Sequence, residues 1–427
     1  MATPRMTRRL LGVISKRFPL LRLEHLTDTR DRKGRRHASI VPAVRLMLVG
    51  MMAGCKGLAE VEDLNVDMSL ATRKLLGLPQ RIADTTCRDT LLRLVFDELR
   101  QLLHRTVEMM DKAKALCPHE LPFGVATMDG RSTPTKLWEQ GDAIAQLQHP
   151  KDGSVYGLVR TITSCLVSSR ARTCLDMFPI PASTNENGVF ADAFASLMRV
   201  AGHLFEVLTY DSGANSAANA RLVLMFGKNY VFRVKSEQPT IYNECKRKLG
   251  KRTLASGIEV GSDIVGSKVV TRTLWLAPEL AGWHDYPGLR CAIRLHVRTV
   301  DKVTGTQTSE NRYYIKSLAP DVMTPTHWSL LVRRHWAVEN NCHNTWDRLM
   351  REDKRPWVRL SSGMLRAMVL RRIAYNLLGW FRSVTQRSEA ARALPWLRLM
   401  RLLQSVLETA TTDILRHPRP LEPLACL

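Results

Sequence analysis

The sequence predicts an α/β fold: a mixed sheet with flanking helices, interrupted by a β-rich insertion and preceded by a helical N-terminal domain. Three observations predict it. Residues 37–118 read as helical, residues 187–234 alternate helix, strand, helix, strand, and residues 236–312 turn to short β-like pieces. A chain of 427 residues has room for two or three folding units, and its 45 % apolar content argues against general disorder.

The first segment, residues 1–36, holds eleven Lys and Arg against three acids and reads as a basic arm. Val41 to Met52 is apolar nearly all round and stops at Gly54, as a buried helix does. Leu75-Leu76-Gly77-Leu78-Pro79 reads as a helix end and a turn. Asp84 or Thr85 then caps a helix through Leu91, Leu92, Val95 and Leu99. A short helix, a turn and a second helix bearing Arg88 and Arg93 form a candidate DNA-reading unit in 37–118, although such helix pairs occur in any helical domain.

Residues 119–235 read as the first part of the core. Phe123 to Met128 is a buried strand ending in Asp129-Gly130, and Leu158 to Val167 and Arg172 to Phe178 are two more strands. Phe190, Phe194, Leu197 and Ala201 make a helical stripe closed by Gly202. Leu204 to Tyr210 is a strand ending at Asp211. A helix from about Ala214 to Phe226, a Gly227-Lys228-Asn229 turn and the strand Tyr230 to Val234 follow. Asp129 and Asp211 thus both stand at carboxyl ends of strands, the edge where open α/β sheets collect ligands.

Residues 236–312 read as an inserted β-rich subdomain, with Val269 to Leu276 and Cys291 to Val300 as its clearest pieces. Tyr313 to Leu318 returns to the main sheet, and residues 313–385 complete the core. Thr324-Pro325 then caps a helix that runs to about Met350. At 100° per residue, Val332, His335, Trp336, Cys342, His343 and Trp346 fall within about 60° of Glu339, so the glutamate is expected on the inward face. An inward carboxylate needs a cation, a donor or a proton. His335 or His343 offers an ordinary partner one turn away; a metal ion is the functional alternative. The i, i+4, i+8 spacing of His335, Glu339 and His343 also permits zinc, but no H-E-x-x-H arrangement accompanies it. Residues 386–427 read as a basic helical tail.

The formal charge of +23 calls for a polyanionic partner. The two ends, 1–36 and 354–427, carry most of it and are placed to contact phosphates. A membrane is the poorer choice of polyanion, because Ile40 to Leu58 is broken by Pro42, Arg45 and Lys56. Nine cysteines without a C-x-x-C pair read as reduced thiols, and the expectation is a cytoplasmic, nucleoid-associated protein. Two strand-end aspartates and a helical glutamate form an oxygen-donor set suited to Mg²⁺. Two such ions roughly 4 Å apart activate an attacking oxygen and stabilise a leaving one at a phosphodiester. The same carboxylates on a basic chain leave open a metal-dependent nuclease, or a DNA-binding protein that has lost catalysis.

Ordered motifs then resemble one family. Met128-Asp129-Gly130-Arg131, Thr184-Asn185-Glu186, Leu208-Thr209-Tyr210-Asp211-Ser212, Val234-Lys235-Ser236-Glu237-Gln238-Pro239 and Tyr313-Tyr314-Ile315-Lys316-Ser317-Leu318 come in succession. Arg333-Arg334-His335-Trp336-Ala337-Val338-Glu339-Asn340 and Glu352-Asp353 complete the set. Together they resemble the DDE-type transposases of bacterial insertion sequences, in the IS-four-like superfamily and its ISAs-type branch, from about His37 to Leu378.

The resemblance implies an RNase H-like core with a β-rich insertion between the second and third acids. Asp129, Asp211 and Glu339 are then the catalytic residues and the ligands of two Mg²⁺ ions, with Mn²⁺ able to substitute. It implies cut-and-paste excision and strand transfer on double-stranded DNA, meaning terminal inverted repeats and a target, by a homodimer when DNA-bound. Arg333, Arg334, His335, Arg88, Arg93, Arg131 and Lys235 are the expected DNA contacts. Where the wider superfamily places Tyr, Arg and Lys around the glutamate, this chain has Val332, His335 and Trp346.

Overall fold

Apolar residues three and four apart (Leu10, Leu11, Ile14, Phe18, Leu21) wind the N-terminal segment into helix α1 (Pro4–Leu21) and bury one side of it. In the computed structural model, which describes residues 4–30, 39–135, 142–283, 286–354 and 356–413, α1 packs against α13 (Trp396–Thr409) near the other end of the chain. The expectation of a basic arm is therefore corrected for 4–21. Its arginines ride on a docked helix, with Arg17 stacked 3.5 Å over the Trp380 ring and donating to Thr385 Oγ1 at 3.0 Å. Residues 31–36 of that arm, and 414–427 of the basic tail, lie outside the described residues.

Helix α2 (Ile40–Ala53) is buried on nearly every side and ends at Gly54 in the left-handed conformation (φ 87°), as its sequence predicts. α3 (Leu58–Asp67), α4 (Leu70–Leu76), α5 (Asp84–Arg93) and α6 (Phe96–Lys112) follow. Neither Asp84 nor Thr85 is the cap: Ala83 holds that place, and the Glu62 carboxylate of α3 accepts the Asp84 N–H at 2.8 Å. The helix expected to reach Leu99 is broken, because Leu94 and Val95 are extended. α2, α5 and α6 pack on α11 (Ser361–Trp380), and one contiguous apolar cluster joins them to a face of the sheet. No single helix among the described residues is long and apolar enough to cross a membrane.

The sheet has ten strands and is mostly antiparallel. They are β1 (Val125–Thr135), β2 (Ala145–Gln148), β3 (Tyr156–Leu166), β4 (Thr173–Pro179), β5 (Val207–Tyr210), β6 (Asn229–Val234), β7 (Ile258–Val265), β8 (Lys268–Ala277), β9 (Cys291–Asp301) and β10 (Gln307–Lys316). Their order is β2-β3-β1-β5-β6-β10-β9-β8-β7, with β4 also on β3. Only β1–β5 and β5–β6 are parallel. Two expectations change here. β1 does not end at Asp129-Gly130 but runs on to Thr135, with Gly130 paired to Ile162 of β3. The strands β7 to β9 are not a separate unit, since β10 pairs with β9 along its length and with β6 at its end, making one continuous sheet. A helix, α9 (Pro239–Leu249), precedes them and has no counterpart in the sequence reading of that stretch.

Alternation along β1, β5 and β6 gives the sheet two faces. Ala126, Met128, Leu208, Tyr210, Tyr230 and Phe232 share a cluster with α7 (Glu186–Ala201) and α8 (Ala217–Met225). Val125, Val207 and Val231 face the other way, into the cluster that holds α10 (Pro325–His335) and α11. α12 (Glu389–Arg392) is a short link before α13.

Candidate active site

Asp129 lies two residues beyond Thr127 on β1, and Asp211 two beyond Thr209 at the end of β5. β1 and β5 are parallel neighbours, with Thr127 opposite Thr209 and Met128 opposite Tyr210. Adjacent strands lie about 4.8 Å apart and side chains alternate, so the two aspartates follow their threonines onto the α10 face. His335 of α10 seals this arrangement. Its Nδ1 is 2.9 Å from Thr127 Oγ1 and 3.1 Å from Thr209 Oγ1. Farther along, His343 Nδ1 is 3.5 Å from Asp129 Oδ2, and Asp347 pairs with Arg131. The helical segment therefore runs along β1 in the same direction. Glu339 lies on this segment between His335, held on the threonines, and His343, which stands beside Asp129.

Glu339 itself departs from the helical wheel. Beyond Ala337 the helix widens to π geometry over Val338–His343 and again over Thr345–Leu349. Bonds closing at i→i+5 put an extra residue in each turn, so 100° spacing no longer applies. Val338, Cys342, His343 and Trp346 are buried, while Glu339 and Asn340 are exposed at the rim. The zinc arrangement does not form, because His335 faces the threonines and His343 faces Asp129. Neither imidazole is a partner of Glu339, whose carboxylate makes no hydrogen bond or ion pair with any described residue.

The carboxylates feel one another. Burial pushes the Asp129 carboxyl well above its ordinary range, and Glu339, Glu186 and Asp211 add to this; the Gly130 N–H opposes it. Burial and Asp211 push Glu339 up against the pull of Arg233 and Lys235, and burial with Asp211 does the same to Glu186. Asp211 goes the other way. Burial would raise it, but the Ser212 N–H and Lys235, whose Nζ is 3.2 Å from Oδ2, bring it below normal, helped by Arg233 at 3.9 Å. Asp211 Oδ1 is still buried without a hydrogen bond. Glu186 is the member that the sequence reading left out of the site. It was visible only as the Asn-Glu element before a helix, since no periodicity points a helix N-terminus at a strand end.

Carboxylates close enough to raise one another, only one of which has a Lys or Arg within ion-pair distance among the described residues, fit the chemistry of a divalent cation. As placed, no three His, Cys, Asp or Glu side chains among the described residues converge closely enough to share a single ion. The fit therefore rests on donor type, on the unpartnered Glu339 and on the Asp211 oxygen that accepts no hydrogen bond. The eight described cysteines are free thiols, seven of them buried.

The expected DNA contacts divide. Arg333 and Arg334 line a groove of about 770 Å³ between α10 and the strands β8 to β10, together with Arg172, Arg272 and Arg312. Glu120 and Asp263 are the acids there; Asp263 pairs with Arg333 at 2.7 Å and Glu120 with Arg334. Lys235 is engaged with Asp211 at the edge of the carboxylates, and Arg88 and Arg93 are exposed on α5. Two residues are corrected. His335 is 4 % exposed and turned into the core, and Arg131 is buried between Asp347 and Glu352. Buried groups already satisfied by protein have nothing left to offer a phosphate. No protein-family model matches the chain, and no curated protein is significantly similar to it.

Proposed function

We propose that the chain is a DNA transposase of the DDE type, built on an RNase H-like core. The observation that carries this reading is that Asp129 and Asp211 stand on adjacent parallel strands, and the charge of Glu339 on the facing helical segment reaches Asp129 and that of Asp211 reaches Glu339. The run β4-β3-β1-β5-β6, antiparallel and then parallel with α7 and α8 intervening, supports the RNase H-like assignment. The arginine groove beside Asn340 supports a nucleic-acid substrate.

In this reading, Asp129, Asp211 and Glu339 would hold divalent ions. When bound, such ions activate the attacking oxygen and stabilise the leaving one. A water oxygen bonds to phosphorus at the element end as the bond to the 3′ oxygen breaks, leaving a 3′-hydroxyl and a 5′-phosphate. That hydroxyl then attacks a target phosphodiester, and the displaced 3′ oxygen takes a proton. Arg333, Arg334, Arg272 and Arg312 orient the phosphates from the groove, while Lys235 and Arg233 offset the negative charge at Asp211.

The test is incubation of the purified chain with Mg²⁺ and DNA bearing the element's ends. Asp129→Asn, Asp211→Asn and Glu339→Gln are each expected to lower cleavage and joining by roughly 100-fold or more, with end binding retained. Full cleavage by any of the three removes that residue from the active site. Cleavage without joining by the unaltered chain reduces the reading to a nuclease.

A further inference from the structure

Glu186 opens α7, on the side of the sheet away from α10, yet its carboxylate reaches β1. A Cβ built on Gly130 would collide with both Glu186 carboxylate oxygens, and one on Gly213 would lie 3.7 Å from Oε2. The carboxylate therefore fills the space that any other residue at 130 would need, next to Asp129, and faces the loop that begins with Asp211. Gly130 sits inside a paired strand, so no turn explains the glycine.

Two further observations concern the surroundings of the Glu186 carboxylate. The Glu186 carboxylate is partly buried and makes no hydrogen bond or ion pair with any described residue. Behind it, Tyr210 is 1 % exposed and its hydroxyl has no hydrogen-bond partner. The charged groups around that hydroxyl are Glu186, Asp129 and Asp211. Its ring lies 5.3 Å from Phe190, one turn along α7 from Glu186, so the helix and the strand end are held together at this point. An acid in the first turn of a helix is favoured by the helix dipole. That role does not require a glycine on the neighbouring strand, and it does not account for a carboxylate whose charge is felt at Asp129 and which feels that of Asp211.

We infer that Glu186 is a fourth carboxylate ligand of the divalent-cation site formed with Asp129, Asp211 and Glu339. The inference rests on the cation-binding reading of that site, and the test keeps the two apart. Mn²⁺ is titrated into the full-length chain without DNA, and free Mn²⁺ is read by electron paramagnetic resonance. Glu186→Gln and Gly130→Ala are each expected to weaken Mn²⁺ binding at least tenfold, the second by displacing the carboxylate without removing a charge. Metal-free Glu186→Gln is also expected to melt above the unaltered chain, because an unpaired negative charge has gone. If Asp129→Asn and Asp211→Asn lose Mn²⁺ while Glu186→Gln binds within twofold of the unaltered chain, Glu186 is no ligand and the cation site stands without it. If Asp129→Asn and Asp211→Asn bind Mn²⁺ normally, the cation reading fails and this inference fails with it.

Discussion

His335 lies between two threonine hydroxyls and away from water, and burial holds its imidazole down at about 4 from an ordinary 6.5. Burial, with Arg131 and Arg372 nearby, takes His343 down to about 3. A depressed histidine means that the unfolded chain binds the proton more readily. The stability these groups contribute is therefore complete above pH 6.5 and is lost as pH falls toward 4 and 3. Asp129, Glu186 and Glu339 are shifted upward and act in the opposite sense, so the informative quantity is a difference between variants. His335→Asn keeps a hydrogen-bonding amide near the threonines but cannot titrate. Its melting temperature is expected to fall less steeply than that of the unaltered chain between pH 6.5 and 4; equal slopes in thermal melts would remove His335 from the acid response. At this scale the strand end at Asp211 was legible, because a strand followed by Asp-Ser-Gly is a local pattern; the same kind of pattern misplaced Asp129, which lies within β1. Glu186 and the fate of His335 were not. Both depend on contacts between segments far apart in the chain, which no local pattern encodes.

The π-helical segment and α11 are tied to β1 by buried charge. Glu352 is fully buried and pairs with Arg131 at 3.0 Å, with Arg371 at 3.5 Å and with Arg372, which also stacks 3.8 Å over the Trp346 ring. Burial pushes its carboxyl up, but Arg372, Arg131 and Arg371 prevail and hold it at about 2. Removing one partner of a buried pair leaves charge uncompensated. Glu352→Gln is expected to cost about 3–5 kcal/mol in denaturant melts, and a loss below about 1 kcal/mol would mean that the three arginines find other partners. Elements with a strong local period were legible: α2 with its Gly54 stop, α7, β5, β6 and the capped start of α10. The widening at Val338 was not, since π turns have no composition that separates them from α turns. That widening is why the inward-facing wheel position of Glu339 did not hold.

At the scale of the molecule, the two basic ends are joined. α1 and α13 pack together over the N-terminal helices, burying Leu10, Leu11, Ile14, Phe18 and Leu21 on one side and Leu399, Leu403 and Leu407 on the other. Each large side chain removed from water is worth about 1.5–3 kcal/mol. Deleting residues 1–21 is thus expected to lower the melting temperature and the soluble yield, whereas a detached arm would be lost without effect on either. Composition showed the charge of this segment, but a count of arginines does not say which face of a helix carries them. The continuous sheet was likewise only half visible, because each strand of 258–316 has a pattern of its own and the pairing of β10 with β6 does not.

That pairing has a mechanical meaning. The strands that form one wall of the arginine groove are hydrogen-bonded, through four residue pairs between Tyr313–Lys316 and Val231–Val234, to the strand that follows Asp211's. The wall cannot swing as a lid on a hinge without tearing that ladder. The opposite wall is anchored as well: His335 is held between Thr127 and Thr209, and Asp347 and Glu352 beyond it pair with Arg131 of β1. Both walls of the groove thus stand on one floor, and the surface pair of Arg333 and Asp263 bridges its rim.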